Sequence, residues 1–567
     1  MVDSVTLEVI RNACEAVCEE MNANLIRTGY SPNIKERRDC SCALFDADGE
    51  MIAQAENMPV HLGAMPFSVA AAIEHFPPET LAPGDGILLN DPYHGGAHLP
   101  DLTLVTPVFH DGEVVAYAAN RAHHADVGGS RAGSVAADST EIYQEGLRIP
   151  PVKLFEGGDA NEAVFDLILM NVRTPDERRG DLRAQEAANQ TGKRRFTELV
   201  EKYGPATITA ALEEINDYSE RRMRAEIADL PDGTVAFADV LDDDGLGNED
   251  LPVKAAVTID DDTVTVDFAG TAPQTAGPIN AVIAVTTSAT YYAVRCVTDP
   301  EIPPNHGCYR PIEVRAPEGT IVNPNPPAAV VGGNLETSQR VTDVVLGAFA
   351  EAVPERVTGA GQGTMNNVTF GGTDPRDGSQ YAFYETQGGG FGGRAGKDGL
   401  DGVHVHMSNT MNTPVEVLET AYPLRIDRYE FRQDSGGAGE FRGGLGLRRD
   451  ITVRDHEARF SLLSDRRRHR PYGVAGGESG ATGGAVLYAD GETERLPGKA
   501  IRELPPGATV SVRTPGAGGF GPVEARDPEA VRRDVRLGKV SVAAAREDYG
   551  VPVEEDLARE DDRDGDT

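Results

Sequence analysis

Lysine is scarce in this chain, with 8 among 567 residues against 45 arginines, and acidic residues outnumber basic ones 91 to 53. The formal net charge of -38 leaves no basic stripe to neutralise phosphates, which excludes nucleic acid as an expected partner. Both biases fit a surface adapted to high salt, where dense carboxylates hold water and counterions. Acidic runs such as Glu19 with Glu20, or 242–244, therefore read as solvated surface. Cysteine is sparse too: six residues with no paired C-x-x-C exclude a disulfide framework and a structural zinc, and point to a cytoplasmic protein with reduced thiols. Cys14 and Cys18 fall in a helical apolar pattern with Ile10, Val17, Met21 and Leu25, as core packing would require. No run of about 18 apolar residues suggests a membrane span, and residues 1–8 lack the basic flank and apolar core of a secretory signal.

Several catalytic signatures are missing. There is no HExxH, no G-x-S-x-G elbow and no catalytic-cysteine signature. The loop GGGFGGRAGKDG at 388–399 fails as a phosphate-binding loop, because Phe391 stands where the first glycine belongs and Asp398 follows Lys397. GAGGFG at 516–521 runs into Pro522 rather than a helix, so a dinucleotide site is not expected there.

What is present suggests an α+β, multidomain chain. A mixed helix and strand region over 1–230 opens with an amphipathic helix at 6–27 and a hairpin at 41–54, and carries helices at 181–203 and 206–228 expected to pack antiparallel. Period-two alternation then predicts a central antiparallel sheet within 231–356, with helices at 284–297 and 338–352. Residues 357–525 read as a glycine-rich β-domain, and 526–567 as C-terminal helices with an acidic tail, LAREDDRDGDT, expected to be mobile.

Residues 90–126 hold five of the twelve histidines, together with Asp91, Asp101 and Asp126. Imidazole and carboxylate suit a borderline or hard divalent ion. Gly95 and Gly96 put His94 and His98 on a loop, and a hairpin about Asp111–Gly112 would bring 120–124 beside His98 and Asp101. Adjacent strand residues face opposite sides, so only one of His123 and His124 can reach such an ion. Upstream, Glu36, Arg37, Arg38 and Asp39, with His61, suggest a buried ion-pair junction or an anion contact, and His404 and His406 are expected on one face of a strand.

Ordered segments carry a family resemblance: ERRDCSCALFDADGEMIAQAENMPVHLGAM, GDGILLNDPYHGGAHLPDLTLVTPVF, NRAHHADVGG, EGLRIPPVKL, IPPNHGCYRPI, SNTMNTPVEVLE, DSGGAGEFRGGLG and TPGAGGFGPVEARDPEAV. The chain resembles the B-type subunit of the hydantoinase and 5-oxoprolinase family, related to the metal-binding subunit of acetone carboxylase. The resemblance implies an ATP-dependent hydrolase of cyclic amides in which an A-type partner uses the ATP and this chain completes ring opening. It implies a divalent ion, Mn, Zn or Mg, held by His98, Asp101 and His123, and leaves Asp126 or His124 to act as base or to orient a ligand. Rival implications are an ATP-dependent ketone carboxylase component and a noncatalytic scaffold for the A-type partner.

Overall fold

A computed structural model describes residues 2–55 and 57–553, so the expected acidic tail lies outside the described residues. The α+β, multidomain expectation holds: helices accompany four separate sheets, and short helices Pro528–Arg536 and Val542–Glu547 lie near the C-terminus.

Seven antiparallel strands make the first sheet, in the order Met51–Gln54, Cys40–Asp46, Glu113–His123, Asp101–His110, Gly86–Leu89, Val152–Glu156, Asp159–Ala160. Asp111 (φ 51°) and Gly112 (φ 87°) make the tight turn between its two longest strands, the left-handed pair that suits right-twisted strands. Strand alternation divides the sheet into two apolar faces. Cys40, Cys42, Leu44, Ala116, Ala118 and Ala122 face the helices Ser4–Thr28, Pro175–Tyr203 and Pro205–Ala228, while Ala43, Phe45, Tyr117 and Ala119 face the rest of the molecule. The two long helices form where expected, each opened by proline and joined through Gly204. They do not make an antiparallel pair along their lengths; the opening helix takes that face of Pro175–Tyr203, because its stripe of Ile10, Cys14, Cys18 and Met21 meets Ala184, Ala188 and Phe196.

The central sheet runs Ile312–Arg315, Thr263–Asp267, Glu249–Asp260, Gly233–Asp243. It is antiparallel except at the edge, where Ile312–Arg315 pairs parallel with Thr263–Asp267. The helices Ile283–Val297 and Ser338–Ala352 pack beside it, the second preceded by a π-turn, Gly333–Thr337.

Downstream, a four-stranded and a five-stranded sheet share one apolar cluster containing Phe370, Phe460, Ile451 and Val510, a sandwich arrangement. The glycine runs do more than supply turns. Segments near 359–362, 388–402, 436–446, 473–480 and 515–521 lie side by side and bond backbone to backbone, as in Gly393 N to Gly518 O (2.9 Å) and Ala517 N to Gly444 O (3.0 Å). Close approach is what demands glycine there: a Cβ on Gly392 would sit 1.8 Å from the Gly359 carbonyl oxygen. This packing also removes the strand expected around His404 and His406. Residues 404–408 form loop and turn, with His406 at φ 49°.

Candidate metal centre

Asn90 shapes the loop that carries His98. Its amide nitrogen donates to the carbonyls of Leu99 (2.7 Å) and Leu147 (2.9 Å), and its oxygen accepts from Ile149 N (2.7 Å). His98 is thereby held next to Asp101, the first residue of its strand, while His123 ends the neighbouring strand directly opposite Asp101 in the register. His98 Nε2 lies 3.1 Å from Asp101 Oδ1, and one ligand-type atom from each of His98, Asp101 and His123 falls within 4.8 Å of the others. All three are buried.

The remaining histidines of the segment point elsewhere. His94 is largely exposed and pairs with Asp91 at 3.0 Å, and His110 sits at the turn end of the hairpin beside Asp111. Alternation turns His124 to the helical face, where Nε2 meets Gln185 Oε1 at 2.9 Å and burial, then Arg178, pushes the imidazole down to about 4. Asp126 accepts from the backbone of Gly128 (3.0 Å), Gly133 (3.1 Å) and Arg173 (3.1 Å) and pairs with the Arg173 guanidinium at 2.8 Å. Those bonds tie down a loop.

The electrostatics of the triad favour a cation. Burial alone would raise the Asp101 carboxyl, yet His98 and His61 beside it hold it well below the ordinary carboxylate range. Burial, then His98, drives His123 well below the usual imidazole value, leaving the neutral form that ligates metals. Both ring nitrogens of His98, both carboxylate oxygens of Asp101 and Nε2 of His123 are buried without a hydrogen-bond partner among the described residues. Buried polar atoms seldom go unsatisfied, and this donor set fits a divalent ion.

A surrounding layer comes from places far apart in the chain. His61 Nε2 is 3.4 Å from Asp101 Oδ1 and 3.9 Å from Asp39 Oδ1, while Ser41 Oγ touches His61 Nδ1 at 3.2 Å. Burial raises the Asp39 carboxyl despite Arg37 nearby at 3.8 Å. Arg37 is buried, pairs with Asp39 and donates to the neutral acceptors Asn33 Oδ1, Tyr384 O (3.2 Å) and Thr386 Oγ1 (2.7 Å), while Arg38, expected at the same junction, faces solvent. Asn33 Nδ2 reaches His123 O at 2.7 Å and Nδ1 at 3.0 Å. Ligation through Nε2 places the proton on Nδ1, so this amide must then turn or yield.

Tyr384, from the glycine-rich half, stacks on His123 with centroids 4.7 Å apart and planes 7° from parallel. Its hydroxyl donates to Asn367 Oδ1 (3.0 Å), whose Nδ2 donates to Glu336 Oε1 (2.8 Å) on the π-turn. Glu336 is fully buried, which, with Asp465 nearby, pushes its carboxyl up to about 8. Sequence reasoning reached Arg37, Asp39 and His61 but not Tyr384, Asn367, Glu336 or Asn33, which carry no local pattern.

Comparison with known proteins adds the following. A family model described as hydantoinase B/oxoprolinase matches residues 3–523. 5-Oxoprolinase 1 of Arabidopsis thaliana is 38% identical over 544 residues, 92% of this chain; the chain spans only 42% of that protein's length. A protein of Pseudomonas sp. named as the B component of a D-/L-hydantoinase is 35% identical, covering 97% of this chain and 95% of its own. The crystal structure of an ATP-dependent caprolactamase from Pseudomonas jessenii superposes with a TM-score of 0.91 at 33% identity, over 98% of this chain and 97% of that one.

Proposed function

Because the chain belongs to the hydantoinase B/oxoprolinase family, we propose that it is the B-type component of an ATP-dependent cyclic-amide hydrolase, opening a lactam or hydantoin ring activated by an A-type partner. The observation that carries this reading is the buried, converging His98, Asp101 and His123 set, in a chain similar to proteins named for ring-amide hydrolysis. Those three residues would hold the divalent ion, Mn, Zn or Mg. When bound, such an ion polarises a carbonyl or phosphoryl oxygen and lowers the pKa of water.

The chain's own residues then have separable roles. His61 fixes the Asp101 carboxylate. Asp39, whose carboxyl burial raises, lies 3.9 Å from His61 and helps to fix that ring. Tyr384 and Asn33 set the plane and edge of the His123 ring. His124 and Asp126 hold the strand end and the following loop, which makes them positioning residues instead of bases.

The test is reconstitution of the purified chain with its A-type partner, measuring bound metal and ATP-coupled turnover of 5-oxoproline and hydantoins. Ring opening that needs ATP, metal and both chains supports the reading. Turnover that instead requires a ketone and bicarbonate makes the chain part of a carboxylase, and full activity from a metal-free variant makes it a scaffold.

A further inference from the structure

A cavity of about 570 Å³ lies away from the triad, between the helices Ile283–Val297 and Ser338–Ala352 and the glycine-rich turn 394–397. His406 lines it. That residue is 4% exposed, sits at φ 49°, and has no hydrogen-bond partner on either ring nitrogen among the described residues. A non-glycine residue held in the left-handed region costs conformational energy, so the surrounding structure must enforce it. Asp343 Oδ1 lies 3.6 Å from His406 Nε2 and is itself unbonded. Phe391 (5.4 Å) and Tyr292 (5.8 Å) flank the imidazole and give the cavity aromatic walls.

Two of the cations that line the cavity have no ion-pair partner among the described residues. Arg394 and Lys397 close a tight turn by exchanging backbone hydrogen bonds of 3.0 Å in each direction, and both side chains are exposed. Among the described residues neither has an acidic partner, in a chain whose net charge is -38 and which has only 8 lysines. Of the carboxylates around the cavity, Asp398 pairs with Arg526 (2.7 Å), Asp299 with Arg222, and Glu226 with Arg356 (3.8 Å); Glu355 is left unpaired among the described residues. The local field at the turn therefore favours an anion, against the field of the whole molecule.

We propose that this cavity is a second ligand site, for a small organic oxyanion: its carboxylate or phosphate group meets Arg394 and Lys397, and its apolar or ring portion lies against the aromatic wall made by Phe391, Tyr292 and His406. The volume suits a small-molecule ligand, and none of the triad residues lines the cavity. The proposal does not depend on the hydrolase reading, because the site is tested by binding alone.

Titration calorimetry on the full chain, with 5-oxoproline and glutamate as carboxylate probes and ADP and inorganic phosphate as phosphate probes, is the experiment. Saturable binding of at least one organic probe is expected, weakened tenfold or more in the Arg394→Ala/Lys397→Ala double variant and unchanged in His98→Ala. The probe that binds identifies carboxylate or phosphate as the source. The double variant alters only an exposed turn, so its fold should survive and any lost affinity reports on the site. Absence of binding by every organic probe overturns the proposal. So does binding of inorganic phosphate alone, affinity untouched by the double variant, or affinity lost in His98→Ala, which would put the ligand at the triad.

Discussion

At the scale of single residues, the account rests on what each ligand atom lacks. Asp101 is buried, with only the imidazoles of His98 and His61 against its carboxylate, so Asp101→Asn should lower metal affinity more than about 100-fold. His61→Ala, which removes only the group that orients it, should cost about 10- to 100-fold; metal titration of the two variants checks the ranking, and equal losses would contradict it. Glu336 gives a separate test. Its carboxyl is pushed up to about 8 in the folded chain from an ordinary value of 4.5, so the folded state binds the extra proton between those values. Its contribution is fully present below pH 4.5 and is lost as pH rises through 8, an effect on the order of 5 kcal/mol. Glu336→Gln keeps the acceptor for Asn367 and never ionises. Denaturation of the variant should therefore show a flatter decline in stability between about pH 5 and 8 than the parent, and parallel profiles would refute the assignment.

At the scale of elements, glycine has two jobs that substitution separates. Gly112 is at φ 87° with open space around it, so Gly112→Ala should cost about 1 kcal/mol of backbone strain and leave metal binding intact. Gly392 has no room for a Cβ against the Gly359 carbonyl, so Gly392→Ala should abolish soluble folding. Soluble yield and denaturation midpoints of the two proteins measure the difference. The hairpin was legible in the sequence because its signals are local: Asp-Gly turn chemistry, alternation, and the spacing that sets Asp101 across from His123. Alternation also separates His123 from His124, and His124 does turn to the helical face and meet Gln185. Tyr384 was not legible, since only the sandwich fold brings it onto His123. The strand expected at His404 and His406 failed because the neighbouring glycine segments satisfy each other's backbone and leave 404–408 as a turn.

On the scale of the whole molecule, the candidate metal centre is a junction. Its candidate ligands come from the first sheet and the loop that leads into it, and the tyrosine that stacks on one of them comes from the glycine-rich half, tied through Asn367 to the π-turn at Glu336. Tyr384→Ala should therefore weaken metal binding about tenfold with the N-terminal ligands untouched, whereas Tyr384→Phe, which keeps the ring, should stay within a few-fold of the parent. Metal titration of the two variants separates the ring from its hydroxyl, and neither half of the molecule holds the clamped histidine by itself. The most direct test compares the parent and His98→Ala, each reconstituted with the A-type partner, for metal content and for ATP-coupled opening of a cyclic amide. The account predicts that His98→Ala loses both together while remaining folded; a His98→Ala protein that keeps its metal and its coupled turnover would contradict it.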